Sequence, residues 1–107
     1  YEEPAFDIYP LSAVHDSVGT GRRGLLPKRQ PLSSLAQTAG RLVGAKKVEI
    51  VGPIEFPCQK IAIGCGSAGE LISDAHRAGC DVLLTGEARF HDYLTARRLG
   101  IHLILVG

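Results

Sequence analysis

The sequence predicts an α/β fold: a short, mostly parallel sheet built by a β–α–β–α–β run in its C-terminal half. Two observations carry this. From Lys60 to Val106, apolar runs of strand length alternate with helix-length polar segments, and Gly64, Gly79 and Gly100 stand at the junctions. Short strands joined by helices need right-handed crossovers and therefore lie parallel. Upstream, a loosely alternating stretch between two prolines adds antiparallel pairing at an edge.

That stretch is Ala5 to Leu11, with Phe6 and Ile8 on one side, Asp7 and Tyr9 on the other, and Pro4 and Pro10 flanking it. Ser12 to Leu32 has glycines, prolines and charges without a sustained period, and reads as a long connection. Ser33 or Ser34 would cap a helix to about Val43, with Leu35, Leu42 and Val43 as its apolar stripe and Gly44 as its stop. Val48 to Val51 is a short strand stopped by Gly52-Pro53, expected to pair with the next strand, Lys60 to Gly64. Ser67 or Gly69 opens a helix with Leu71, Ile72 and Ala75 on its apolar face, closed by Gly79. Cys80 to Leu84 is an apolar run, as in a strand covered on both faces. Phe90 to Leu99 forms the next helix, with Phe90, Leu94 and Ala96 for packing, and Ile101 to Val106 is the last strand.

Composition excludes some functions. The 107 residues carry a formal charge of +1 with both signs interspersed, which gives no field for nucleic acid or anionic lipid. The basic pairs Arg22-Arg23, Lys28-Arg29 and Arg97-Arg98 read as solvated faces. No apolar run approaches the ~18 residues of a membrane span. Cys58, Cys65 and Cys80 are odd in number and lack a C-x-x-C pair, which suits reduced thiols in a cytoplasmic protein. A zinc site of Cys58, Cys65, His76 and Cys80 matches no usual ligand spacing. The chain has no Met and begins at Tyr1, so it is expected to be a piece of a longer product.

Open α/β sheets bind ligands at the carboxyl ends of their strands, where two polar turns should meet here. Gly64-Cys-Gly-Ser-Ala-Gly69 lies between a strand and a helix, the context of a dinucleotide-binding turn. Glu87 lies about as far on as a ribose-binding carboxylate should, but Thr85-Gly86 separate it from the strand, and no Walker Lys-Ser/Thr follows. A tight turn for helix–sheet packing is the ordinary alternative. The similar Gly19-Thr-Gly-Arg-Arg-Gly24 follows no strand and opens no helix. Glu87 and His91, at i and i+4, would share a face if a helix had begun by Glu87, and such a pair would hold a metal or relay a proton. His15 and His102 read as structural histidines.

Tyr1-Glu-Glu-Pro-Ala-Phe-Asp-Ile-Tyr-Pro-Leu11, Gly19-Thr-Gly-Arg-Arg-Gly-Leu-Leu-Pro27, Gly64-Cys-Gly-Ser-Ala-Gly69 and Thr85-Gly-Glu-Ala-Arg-Phe-His-Asp92 follow one another in an order that resembles the GTP cyclohydrolase I type 2-like proteins. These are also called the NGG-one-interacting-factor-three-like, dinuclear metal centre family. The resemblance implies a cytoplasmic metalloprotein with two divalent ions in a cleft and a ring-like homo-oligomeric assembly. It implies that residues 1–18 end an inserted ferredoxin-like domain, and that 19–107 are the C-terminal α/β half of the metal-binding domain. The family's paired-His motif and Asp are absent, and its G-H-x-x-x-E motif would begin at Gly107. No metal ligand is therefore expected within this chain. Thr85, Glu87 and His91 would flank the metals, and Gly66, Ser67 and Gly69 would contact an anion. The implied chemistry is hydrolysis of a nucleotide-like substrate by metal-activated water. The other two readings are a non-catalytic metal-binding regulatory or adaptor protein and a dinucleotide-binding module.

Overall fold

The computed structural model describes residues 7–10, 21–64 and 68–107. In chain order the elements are β1 (Asp7–Pro10), β2 (Gly21–Pro31), α1 (Leu32–Val43), β3 (Glu49–Val51), β4 (Pro57–Gly64), α2 (Ala68–Arg77), β5 (Val82–Thr85), α3 (Phe90–Leu99) and β6 (His102–Leu105). The strands form one mixed sheet in the order β1-β2-β4-β5-β6-β3. β4, β5 and β6 are parallel, with Ala62 beside Leu83 and Leu83 beside Leu103. The predicted β–α–β–α–β run is therefore present.

Alternation along the parallel strands builds two apolar layers. Ala62, Leu83, Leu103 and Leu105 pack with Leu71, Ile72 and Ala75 of α2 and Ala96 of α3. Ile61, Val82 and Ile104 pack on the other face with Leu32, Leu35 and Ala36 of α1. The sheet is thus sandwiched, which explains why its central strands read as nearly continuous apolar runs. Gly79 and Gly100 adopt left-handed conformations, with φ of +76° at each, and end α2 and α3 where the sequence places stops.

Four expectations are corrected. The stretch read as a long connection contains the eleven-residue β2, which pairs with β4 over Gly21–Leu25 and again at Gln30 and Pro31. Pro27 hid it; the register shifts between Leu25 and Gln30, so the proline sits where the ladder is interrupted. β3 does not pair with β4, which already has β2 and β5 as neighbours. It pairs antiparallel with β6 at the far end of the sheet.

The third concerns α1, which begins at Leu32 without a serine cap. Its first N–H groups, on Leu32 and Ser33, donate to the carbonyls of Phe56 and Ile54 at 2.9 Å, so the β3–β4 connection does the capping. Its buried stripe is Leu32, Leu35, Ala36 and Ala39, while Leu42 and Val43 are exposed. The fourth concerns α3: Ala96 is buried as expected, but Phe90 and Leu94 face outward.

The edge strand expected near the N-terminus is present as β1, antiparallel to β2. Cys58 and Cys80 are free, buried thiols in different apolar layers, so they do not meet at a shared metal. Burial first, and the charge of Asp81 second, push the Cys58 thiol up to about 11. Its Sγ donates to the Gln30 carbonyl.

Candidate functional site

The carboxyl ends of β4, β5 and β6 lie side by side, as the register of Ile63 with Leu84 and of Thr85 with Leu105 requires. Thr85 ends β5 and is 3% exposed. Its carbonyl accepts a hydrogen bond from Val106 N–H at 3.0 Å, which extends the β5–β6 pairing past the last residue of β6. The loops beyond these strands then approach closely. A Cβ on Gly107 would stand 2.5 Å from the Gly86 carbonyl oxygen, so position 107 has no room for a side chain.

The N-termini of α2 and α3 come to the same edge. Gly69 is half-buried in the first turn of α2, and a Cβ there would lie 3.3 Å from Asp92 Oδ1. Asp92 stands in the first turn of α3. Its Oδ2 accepts a 2.9 Å hydrogen bond from the backbone N–H of Arg89, the residue that precedes the helix. A carboxylate at this place also suits the positive end of the helix dipole. Asp92 Oδ1 lies 3.5 Å from His91 Nε2, and the His91 side chain is otherwise open, 72% exposed.

Glu87 is exposed on the loop between β5 and α3. Because α3 starts at Phe90, Glu87 lies before the helix, and the i, i+4 face it was expected to share with His91 does not form. Gly66 and Ser67 fall outside the described residues, as does Cys65. The structure therefore brings Thr85, Gly69 and His91 to the edge of the same two loops. Asp92, the buried group beside Gly69 and His91, was missed by sequence reasoning. Its signal was an acidic residue three positions after the helix boundary, without the Ser or Thr that makes such a pattern visible.

Among the described residues, no group of three or more His, Cys, Asp or Glu side chains converges so as to hold a metal ion. These residues by themselves do not fit a metal pair. Glu87 and His91 are both exposed on the segment that leads from β5 into α3.

Comparison with known proteins places this edge in context. A model of the family described as Duf34/NIF3 (NGG1p interacting factor 3) matches residues 5–107. The chain belongs to this family. A relative from Halalkalibacterium halodurans, named GTP cyclohydrolase 1 type 2 homolog, is 31% identical over 107 residues. That match takes in 100% of this chain and 29% of the relative. A protein of the same name from Listeria innocua is 35% identical over 91 residues, which is 85% of this chain and 24% of the relative. Among solved structures, the Bacillus cereus protein related to NIF3 superposes with a TM-score of 0.77 at 28% identity, covering 96% of this chain and 28% of that one. The chain thus spans under a third of the length of each of these three proteins. No helix among the described residues is long and apolar enough to cross a membrane.

Proposed function

We propose that this chain forms one wall of the ligand cleft of a metal-dependent hydrolase that acts on a nucleotide-like substrate. Membership of the Duf34/NIF3 family supports the reading, as does the name GTP cyclohydrolase 1 type 2 homolog given to its relatives. The observation that carries it is the meeting of the β5 and β6 loops at Gly86 and Gly107, beside the abutting starts of α2 and α3. Open sheets of this kind bind ligands at that edge.

In this reading a pair of divalent ions is held by residues outside 1–107, and the residues here orient what binds next to them. Glu87 and His91 supply an acceptor and an imidazole at the rim. The N-terminus of α2, with Gly66, Ser67 and Gly69, receives the anionic part of the substrate. Thr85 fixes the loop that carries Glu87. The intact protein is proposed to be cytoplasmic and a ring-like homo-oligomer.

The test uses the protein at the length of its relatives. Metal content by plasma mass spectrometry is expected to give a pair of divalent ions per chain, and a panel of nucleotides is expected to be hydrolysed. Glu87→Ala should lose at least tenfold in turnover with an unchanged melting temperature. Bound metal without turnover on any nucleotide would leave the non-catalytic adaptor reading in its place. Absence of metal would remove the metal-dependent reading altogether.

A further inference from the structure

His102 is the first residue of β6, and two contacts fix its ring. It meets the Phe56 ring at a centroid distance of 4.2 Å and an interplanar angle of 61°. Its Nδ1 stands 2.5 Å from where a Cβ on Gly52 would lie, so the imidazole fills the space that this glycine leaves. Gly52 and Phe56 are the two ends of one short connection, from β3 to β4. Within it, Phe56 N–H donates to the Pro53 carbonyl at 3.1 Å.

The same connection also holds α1. Its Phe56 and Ile54 carbonyls accept from the first N–H groups of the helix, on Leu32 and Ser33, at 2.9 Å each. α1 has no side-chain cap and no acidic residue in its first turn, so these backbone bonds are what secures its start. The connection is otherwise thinly anchored, because Gly52, Pro53, Ile54 and Glu55 are all exposed. Segments of this kind open locally at little cost.

A neutral imidazole suits this place. A second proton would put a charge against a phenyl ring and the Gly52 backbone, and hydrating it requires the connection to move away. Burial already disfavours the charged ring, with the charge of Asp81 acting in the opposite sense. Of the elements around it, the start of β5 presents Asp81 and Val82, and Asp81 Oδ2 already accepts from the Gln59 and Lys60 N–H groups. β3 presents Val51, and α3 presents Tyr93 and Arg97, which line the same groove as His102. Arg97 repels a protonated ring, and Glu55 lies on the connection itself and moves with it.

We propose that His102 is the latch of an acid-triggered clasp: protonation of its ring releases the β3–β4 connection, and with it the backbone cap on α1, while the parallel strands stay paired. The device lies at the amino ends of the parallel strands, opposite the site, and it stands independently of the hydrolase reading.

Amide hydrogen exchange in the family-length protein reads the opening at Leu32 and Ser33. Corrected for the intrinsic rate, their protection is expected to fall about threefold or more between pH 7.5 and 5.5. In His102→Gln, which takes up no proton, this loss should vanish. An equal loss in the variant would overturn the proposal, and so would unchanged protection in the parent. Urea below the unfolding transition tells a local opening from a global one, since a local opening exposes little surface. At pH 5.5 protection at Leu32 and Ser33 should hold as urea is added while that of Leu83, in the middle of the sheet, falls. A common urea dependence would refute the clasp, because the fold would then be opening as a whole. If His102→Gln fails to fold, the unaltered protein supplies the deciding comparison. The loss of protection should share its midpoint with the titration of the His102 ring, read at its Cε1 proton, and midpoints about one pH unit apart would refute the latch.

Discussion

Gly69, in the first turn of α2, is so close to Asp92, in the first turn of α3, that a Cβ on the glycine would stand 3.3 Å from Asp92 Oδ1. The two helices that follow the site strands thus begin against one another, with a 7% exposed carboxylate at the junction. That carboxylate also takes the Arg89 N–H, one of the donors that a helix start leaves without an intrahelical partner. Asp92→Ala is therefore expected to cost about 1 kcal/mol of stability, the usual worth of such a bond. Urea unfolding measures this, and an unshifted midpoint would show that the start of α3 is held by other contacts.

The opposite edge of the sheet is tied by Asp81. Its Oδ2 accepts from the backbone N–H groups of Gln59 at 2.9 Å and Lys60 at 3.0 Å. Its own N–H donates to the Lys60 carbonyl, and its carbonyl accepts from His102 N–H. One residue thereby fastens the amino ends of β4, β5 and β6. Asp81→Ala strips an acceptor from two N–H groups and should destabilise by about 1–3 kcal/mol. Asp81→Asn retains an acceptor oxygen and should cost less. Amide exchange at Gln59 and Lys60 provides the local readout, since both should exchange faster in the alanine variant only.

How far this fold could be read from its residues depends on whether the cause is local. α2, β5, α3 and β6 were legible because periodicity and the glycines at 79 and 100 are written within each segment. β2 was not, because Pro27 argues against a strand, and the strand exists by pairing with β4 on either side of a register shift. The partner of β3 was illegible for a related reason: both sides of β4 are occupied, a fact of assembly rather than of sequence. At the site, the strand-end position of Thr85 followed from the apolar run before it. The Glu87–His91 face did not form, because the helix waits for Phe90, and the buried role of Asp92 depends on Gly69, 23 positions away.

Gly40 shows a constraint of packing. It is buried in α1, and a Cβ there would lie 2.7 Å from Val48 Cγ2. Alanine is the better helix former by about 1 kcal/mol, but the overlap with a stiff β-branched side chain costs about 1–3 kcal/mol. Gly40→Ala is expected to lower the melting temperature on balance. Adding Val48→Ala removes the clash, so the double variant should recover part of the loss that a simple sum of the two changes would forbid. Strict additivity of the two changes would contradict the packing argument.

His102 gives the chain a pH dependence whose sign can be worked out. Its ring meets Phe56 edge-on at a centroid distance of 4.2 Å, and a Cβ on Gly52 would fall 2.5 Å from its Nδ1. Gly52 has a φ of +136°, a conformation that side chains disfavour, so the imidazole has a place that only glycine leaves open. Burial lowers the His102 pKa below its ordinary 6.5, against the opposing charge of Asp81. The unfolded chain then binds a proton more readily than the fold does. Above about pH 6.5 both states are neutral at this residue and its stability is fully present; as pH falls below 6.5 towards the depressed value, stability is lost. Melting temperatures of the parent and of His102→Gln, measured at pH 7.5 and 5.5, isolate the effect. The parent should lose more between the two than the variant does, whereas equal losses would mean that His102 titrates as it does in the unfolded chain.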